Sequence, residues 1–103
     1  MNAPAPAEIR HVIIRGLVQR VGYRAWTEYT ALEQGLEGWV RNRRDGSVEA
    51  VFAGSQQAVA AMIEACRSGP PGSRVDAIDE QPRAREQLAL RRPGELFSVL
   101  PTA

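Results

Sequence analysis

The stretch that decides the reading is Gly16-Leu17-Val18-Gln19-Arg20-Val21-Gly22-Tyr23-Arg24. Immediately upstream, Val12-Ile13-Ile14 is the kind of apolar, β-branched run from which strands are made. Downstream, Ala25, Trp26, Tyr29, Leu32 and Leu36 recur at spacings of one, three, three and four, which predicts one face of a helix. The quoted residues therefore bridge a strand and a helix, and the glycines permit tight backbone there. A loop entering a helix gathers unpaired N–H groups around one point, and the helix N-terminus adds partial positive charge. Such a junction is an anion site before any side chain is considered.

The side chains agree with it. Between Ile9 and Thr27 there is no acidic residue, whereas Arg10, Arg15, Arg20 and Arg24 all fall inside. Arg24 is expected in the first helical turn, where a cation is disfavoured by roughly 0.3–1 kcal/mol. Stability alone would favour Asp or Glu there, so the position suits a bound anion. A solvent-facing arginine, or one paired with a distant carboxylate, is the plainer alternative.

A chain of 103 residues with 44% hydrophobic and 24% charged residues supports one soluble globular domain. Residues 8–103 are expected to form it. The segment Met1-Asn2-Ala3-Pro4-Ala5-Pro6-Ala7 reads as a short disordered tail, since it has neither the basic start nor the apolar middle of a signal peptide. No apolar run approaches the ~20 residues of a membrane span, so a cytoplasmic protein with no membrane partner is expected. A net charge of +1 argues against a nucleic-acid partner. All 13 basic residues are arginine, which codon bias explains more simply than anion binding at every position. The single cysteine, Cys66, lies on an apolar helical pattern and reads as a small core residue rather than a reactive thiol.

Taken in order, Glu8 to Arg15 is the first strand, with Ile9, His11 and Ile13 on one face and Arg10, Val12 and Ile14 on the other. The alternation does not say which face meets the helices. His11, the only histidine, has no Cys or second His beside it, so it reads as a packed or edge residue and no metal is expected. A helix follows from about Val21 to Gln34 and stops at Gly35. Gly38 to Asn42 and Ser47 to Ala53 are strands joined through Asp45-Gly46, a strong hairpin signal. Trp39 reads as a packing residue. Ser55 can cap a second helix whose apolar face is Val59, Met62, Ile63 and Cys66, and Gly69-Pro70-Pro71-Gly72 ends it. Arg74 to Asp79 is a fourth strand, Gln81 to Gly94 a polar loop, and Leu96 to Leu100 a short final strand. This βαββαβ order predicts an α+β fold, the ferredoxin-like split βαβ, with an antiparallel sheet and both helices on one face. The first and third strands are then central, which brings the first loop close to the hairpin.

Asn42 ends the second strand just before that hairpin. It can simply satisfy turn backbone, or, as a neutral amide, hold a water against a bound phosphoryl group without repelling it. Gly-x-Val-Gln-x-Val-Gly-Tyr-Arg at Gly16 to Arg24, followed by Gly-Trp-Val-Arg-Asn…Asp-Gly-Ser-Val-Glu at Gly38 to Glu49, resembles the acylphosphatase family. The resemblance extends in length and element order over Glu8 to Leu100, with the last strand a loose match. One residue departs from the pattern: the family usually carries glycine where this chain has Arg20. With positive φ an arginine would cost on the order of 1 kcal/mol, so a loop with negative φ is expected here.

The resemblance implies hydrolysis of acyl phosphates to a carboxylate and inorganic phosphate. It implies Arg24 as the phosphate-binding residue and Asn42 as the amide that orients the attacking water. N–H groups of a loop comprising Leu17, Val18, Gln19, Arg20, Val21 and Gly22 complete the phosphate cradle. A carboxylate leaving group needs no general acid, and phosphoryl transfer asks mainly for positioning and charge stabilisation. No protein base, cofactor or metal is then required. The implied partners are an acyl phosphate as substrate and inorganic phosphate as product and inhibitor, and a monomer is expected. Two other readings share the architecture. One is an RNA-binding module, disfavoured because the two central strands offer only Phe52 for base stacking. The other is a non-catalytic domain that binds acyl or carbamoyl phosphate for a larger machine.

Overall fold

Strand β1 (Glu8–Leu17) is an interior strand of the sheet, and its neighbours place everything else. The computed structural model describes residues 8–103, so the tail expected at 1–7 lies outside the described residues. After β1 come α1 (Tyr23–Glu33), β2 (Glu37–Asn42), β3 (Val48–Gly54), α2 (Gln56–Ser68), β4 (Arg74–Pro82), a short 3₁₀ helix (Arg85–Leu90) and β5 (Phe97–Val99). The strand order is β4-β1-β3-β2-β5. β1 pairs antiparallel with β3 and β4, and β3 antiparallel with β2. The ferredoxin-like plan is therefore present, but the sheet is mixed rather than purely antiparallel, because β5 joins its edge parallel to β2.

Packing decides which face of β1 meets the helices. Val12 and Ile14 are fully buried with Val40, Val48, Ala50 and Phe52, beneath Tyr23 and Ala31 of α1 and Val59, Met62 and Cys66 of α2. Burying each of the Val, Ile, Phe and Met side chains among them contributes roughly 1.5–3 kcal/mol. The opposite face is apolar as well, which is why alternation alone left the question open. There Trp39, Val51, Ala53, Leu88 and Leu100 form a second cluster joined by Ile9. Trp39 is a packing residue: its indole Nε1 donates to the Gln87 carbonyl at 2.8 Å, and the Arg41 guanidinium lies 4.8 Å from its ring centre. His11 is a packed histidine on a central strand, with Nε2 2.7 Å from Glu49 Oε2.

Helix α1 departs from its expected form. It begins at Tyr23 rather than Val21, and it buries Tyr23, Thr27 and Ala31 rather than the face through Tyr29 and Leu32, which are 65% and 46% exposed. Small side chains let it lie close over β2 and β5. Thr27 buries at little cost because its hydroxyl donates to the Tyr23 carbonyl at 2.8 Å. Helix α2 follows its sequence: the Ser55 hydroxyl accepts from Ala58 N–H at 3.1 Å, and Val59, Met62, Ile63 and Cys66 are buried. The Tyr23 hydroxyl donates to the Cys66 carbonyl at 2.6 Å and ties the helices together. Burial raises the Tyr23 phenol and pushes the Cys66 thiol up to about 12, so both are structural groups.

Three boundaries also move. β1 continues past Arg15 to Leu17 through a bulge at Arg15 and Gly16, and β4 runs on to Pro82. Gly16 has φ 133, and a Cβ there would lie 2.2 Å from the Arg74 carbonyl oxygen, so only glycine fits the bulge. The stretch read as a polar loop contains the 3₁₀ helix, anchored by buried Leu88. β5 spans Phe97–Val99, shorter than expected, although Leu100 N–H still donates to the Val40 carbonyl at 2.9 Å.

Candidate active site

The site forms where β1 hands over to α1. Leu17 is the last residue of β1, opposite Arg74, so the connecting loop is Val18 to Gly22 rather than the longer segment from Leu17. Val18 is buried in the core and Val21 packs partly against it, which pins the loop at two points. Between them the Gln19 side chain reaches across to the hairpin. Its Nε2 donates to the Arg43 carbonyl at 2.7 Å and the Ser47 carbonyl at 2.9 Å.

Arg20 has φ 64, the only positive φ outside glycine among the described residues. The expectation of negative φ is wrong. The loop keeps the left-handed turn that glycine would supply, because anchors on both sides fix its path. Gly22, at φ 77, is the N-cap of α1 and provides no side-chain cap, and the first turn holds no acidic residue. The opening N–H groups of the helix have no intrahelical partner by geometry, and the positive end of the helix is left uncompensated.

The end of β2, which leads into the β2–β3 hairpin, faces the loop. Arg43 N–H donates to the Ser47 carbonyl at 2.9 Å and Gly46 N–H to the Arg43 carbonyl at 3.1 Å, as the Asp45-Gly46 pair leads one to expect. Asp45 accepts from the Ser47 hydroxyl and from its N–H. These hydrogen bonds, with the nearby Arg43 and Arg15 charges, hold its carboxyl below the usual range. Asn42 sits at the end of β2 opposite Val48, and its carbonyl accepts from Ala103 N–H at 3.0 Å. Sheet on one side and the C-terminal residues on the other therefore fix the backbone that carries the amide.

The loop, the start of α1 and the strands β2 and β5 line an open cavity of about 320 Å³. Arg20, Arg24, Asn42 and Glu28 give it polar walls, and Val18, Ala25 and Val99 an apolar side. Of the residues singled out in the sequence, Val18, Arg20, Gly22, Arg24 and Asn42 come together here. Leu17, Gln19 and Val21 do not line it. Arg24 is the second residue of α1, half-buried, and makes no ion pair among the described residues, so the distant-carboxylate alternative fails. Sequence reasoning missed Glu28 and Val99. Glu28 stands four residues after Arg24 and shares its helix face, a spacing that could have shown it. Val99 enters only through the fifth strand. Among the described residues no three His, Cys, Asp or Glu side chains assemble as a possible metal site.

Fold and site together define a ferredoxin-like α+β protein with an arginine- and amide-lined cavity at its first strand–helix junction. The family model described as Acylphosphatase matches residues 10–90. An acylphosphatase of Bradyrhizobium diazoefficiens is 63% identical over 94 residues, spanning 91% of this chain and 95% of that protein. The crystal structure of acylphosphatase from Bacillus subtilis superposes with a TM-score of 0.77 at 33% identity, over 89% of this chain and 97% of that one. Full-length HypF, in a phosphate- and nucleotide-bound form, contains the same fold in 13% of its chain, with a TM-score of 0.78 at 22% identity. The chain belongs to the acylphosphatase family, a family of hydrolases.

Proposed function

We propose that this chain hydrolyses acyl phosphates, with Arg24 binding the phosphoryl group and Asn42 orienting the water that attacks it. The observation that carries the reading is the convergence of Arg24, free of any ion pair among the described residues, and Asn42 on one cavity at an uncapped helix N-terminus. The Arg24 fork grips two non-bridging oxygens, while loop N–H groups between Val18 and Gly22 take up the charge that shifts onto the phosphoryl group. Water oxygen bonds to phosphorus as the bond from phosphorus to the acyl oxygen breaks. The carboxylate leaves with the bonding electrons, and the water's second proton is retained by the phosphate, whose own oxygen accepts the first. Asn42 contributes by holding the water in line, an entropic and orientational gain.

The mechanism needs no group more basic than the substrate itself. Inorganic phosphate, as product, fills the same cradle and inhibits competitively. The reading extends to a monomer that works in the cytoplasm, since acyl phosphates are labile anhydrides best consumed where they form. The RNA-binding alternative is opposed by Phe52, which is fully buried on the helix side of the sheet and offers no exposed platform. The test is phosphate release from benzoyl phosphate by the purified chain, beside an ordinary phosphomonoester. Turnover of the first and neglect of the second is the expected result. Binding of phosphate without turnover of any acyl phosphate would favour the accessory-domain alternative.

A further inference from the structure

Glu28 is an odd residue to find in an anion cavity. It is the only carboxylate lining that cavity, one helical turn beyond Arg24. Among the described residues it is also the only carboxylate that is both half-buried and without an ion pair. The other half-buried carboxylates, Glu8, Glu37 and Glu49, each hold an arginine or histidine within 3.2 Å. A partly desolvated charge is normally paired, because leaving it alone forfeits hydration without replacement.

Charge accounting says what the missing partner is. Arg20 and Arg24 bring two positive charges to the cavity. A phosphoryl group carries about −1.5 to −2 at neutral pH, which those two cations balance. Glu28 is then the charge left over once phosphate is seated. Val18, Ala25 and Val99 line the same cavity and give it an apolar side suited to the carbon skeleton of an acyl group.

We propose that Glu28 is a specificity-determining residue that selects acyl phosphates whose acyl group carries a cationic ammonium. The inference rests on the acyl-phosphate reading above and assigns the part of the substrate which that reading leaves open. The carbon skeleton lies along the apolar wall and the ammonium reaches the Glu28 carboxylate. An acyl group bearing a second carboxylate is repelled, so one residue both attracts and excludes.

The test uses three benzoyl phosphates, with para-aminomethyl, para-methyl and para-carboxymethyl substituents, assayed by phosphate release at neutral pH. Intrinsic reactivity differs among them but cancels when ratios are compared between proteins. For the unmodified chain kcat/KM should favour the aminomethyl over the carboxymethyl compound. Glu28→Gln should reduce that ratio by roughly fivefold or more, chiefly through KM, and Glu28→Lys should invert the preference. Ratios that stay within about twofold across all three proteins, while phosphate is still released, would overturn the proposal and leave the hydrolase reading standing. No turnover of any of the three compounds by the unmodified chain would overturn the acyl-phosphate reading, and this inference with it.

Discussion

The Gln19 amide donates to two carbonyls of the β2–β3 hairpin, at 2.7 Å to Arg43 and 2.9 Å to Ser47, and so fixes the anion loop against the strand end that carries Asn42. Both carbonyls also accept a hydrogen bond from within the hairpin, so removing the amide does not orphan them. Gln19→Ala should therefore cost about 1–2 kcal/mol, two ordinary hydrogen bonds, by urea denaturation. Its larger effect should be on turnover, because the loop and the Asn42 amide, proposed to position the water, lose their fixed spacing. A fall in kcat of tenfold or more with the fold retained is the expected outcome; unchanged kcat would mean the clamp serves stability alone.

Arg20→Gly removes the one left-handed residue that carries a side chain among the described residues. The strain relieved, on the order of 1 kcal/mol, is partly offset by the greater freedom of glycine in the unfolded chain. The variant should melt slightly higher or at the same temperature, with activity within about tenfold. A hundredfold loss would make Arg20 an essential substrate contact rather than a supporting charge.

These two residues also mark how far the sequence could be read. The element order and hairpin were legible because Ser55, Gly35, Asp45-Gly46 and Gly69-Pro70-Pro71-Gly72 act locally, each fixing backbone by its own chemistry. That Arg24 and Asn42 meet at one cavity was legible through the two motifs. The left-handed turn at residue 20 was not, since glycine is its usual sign and arginine hides it. The buried face of α1 was misread because close packing chose Thr27 and Ala31, while larger Tyr29 and Leu32 stayed outside. The far face of β1 is covered by the 3₁₀ helix and Leu100, elements far away in sequence, so alternation within the strand carries no sign of it.

Glu49 lies between His11 and Arg41, with contacts of 2.7 Å to each. Burial raises its carboxyl pKa, but hydrogen bonds from His11 and Arg41 and their charges outweigh it, so the value falls below the usual 4.5. A depressed folded pKa means the ionised group stabilises the fold above the unfolded value. That contribution is lost as pH falls through the folded one. Glu49→Gln should thus be less stable by about 1–2 kcal/mol at pH 7, with the deficit shrinking below pH 4.5. Denaturation midpoints across that range check it, and a deficit independent of pH would exclude the electrostatic cause.

Inorganic phosphate should raise the melting temperature where matched chloride does not. At 100 times its Kd the stabilisation is roughly 2.7 kcal/mol if phosphate binds only the folded chain. Arg24→Ala should abolish the shift. A shift that survives in this variant would place the anion elsewhere.

Arg24 and Asn42 should fail in different ways. In the proposed mechanism Arg24 grips phosphate in the ground state and more strongly as charge redistributes, so its loss should weaken both phosphate binding and turnover. Arg24→Lys should fail nearly as badly as Arg24→Ala, because a point charge cannot reproduce the planar fork. Asn42 is proposed to act chiefly on the water. Asn42→Ala should lower kcat by roughly a hundredfold or more, the scale seen when one preorganised polar group is removed, while phosphate still binds. Its backbone carbonyl, not its amide, makes the bond to Ala103, so the fold should barely notice the change. The phosphate inhibition constant and kcat for benzoyl phosphate, measured on each variant, separate the roles. Lost phosphate binding in Asn42→Ala with binding kept in Arg24→Ala would reverse them, and full activity in Asn42→Ala would reduce Asn42 to a turn residue.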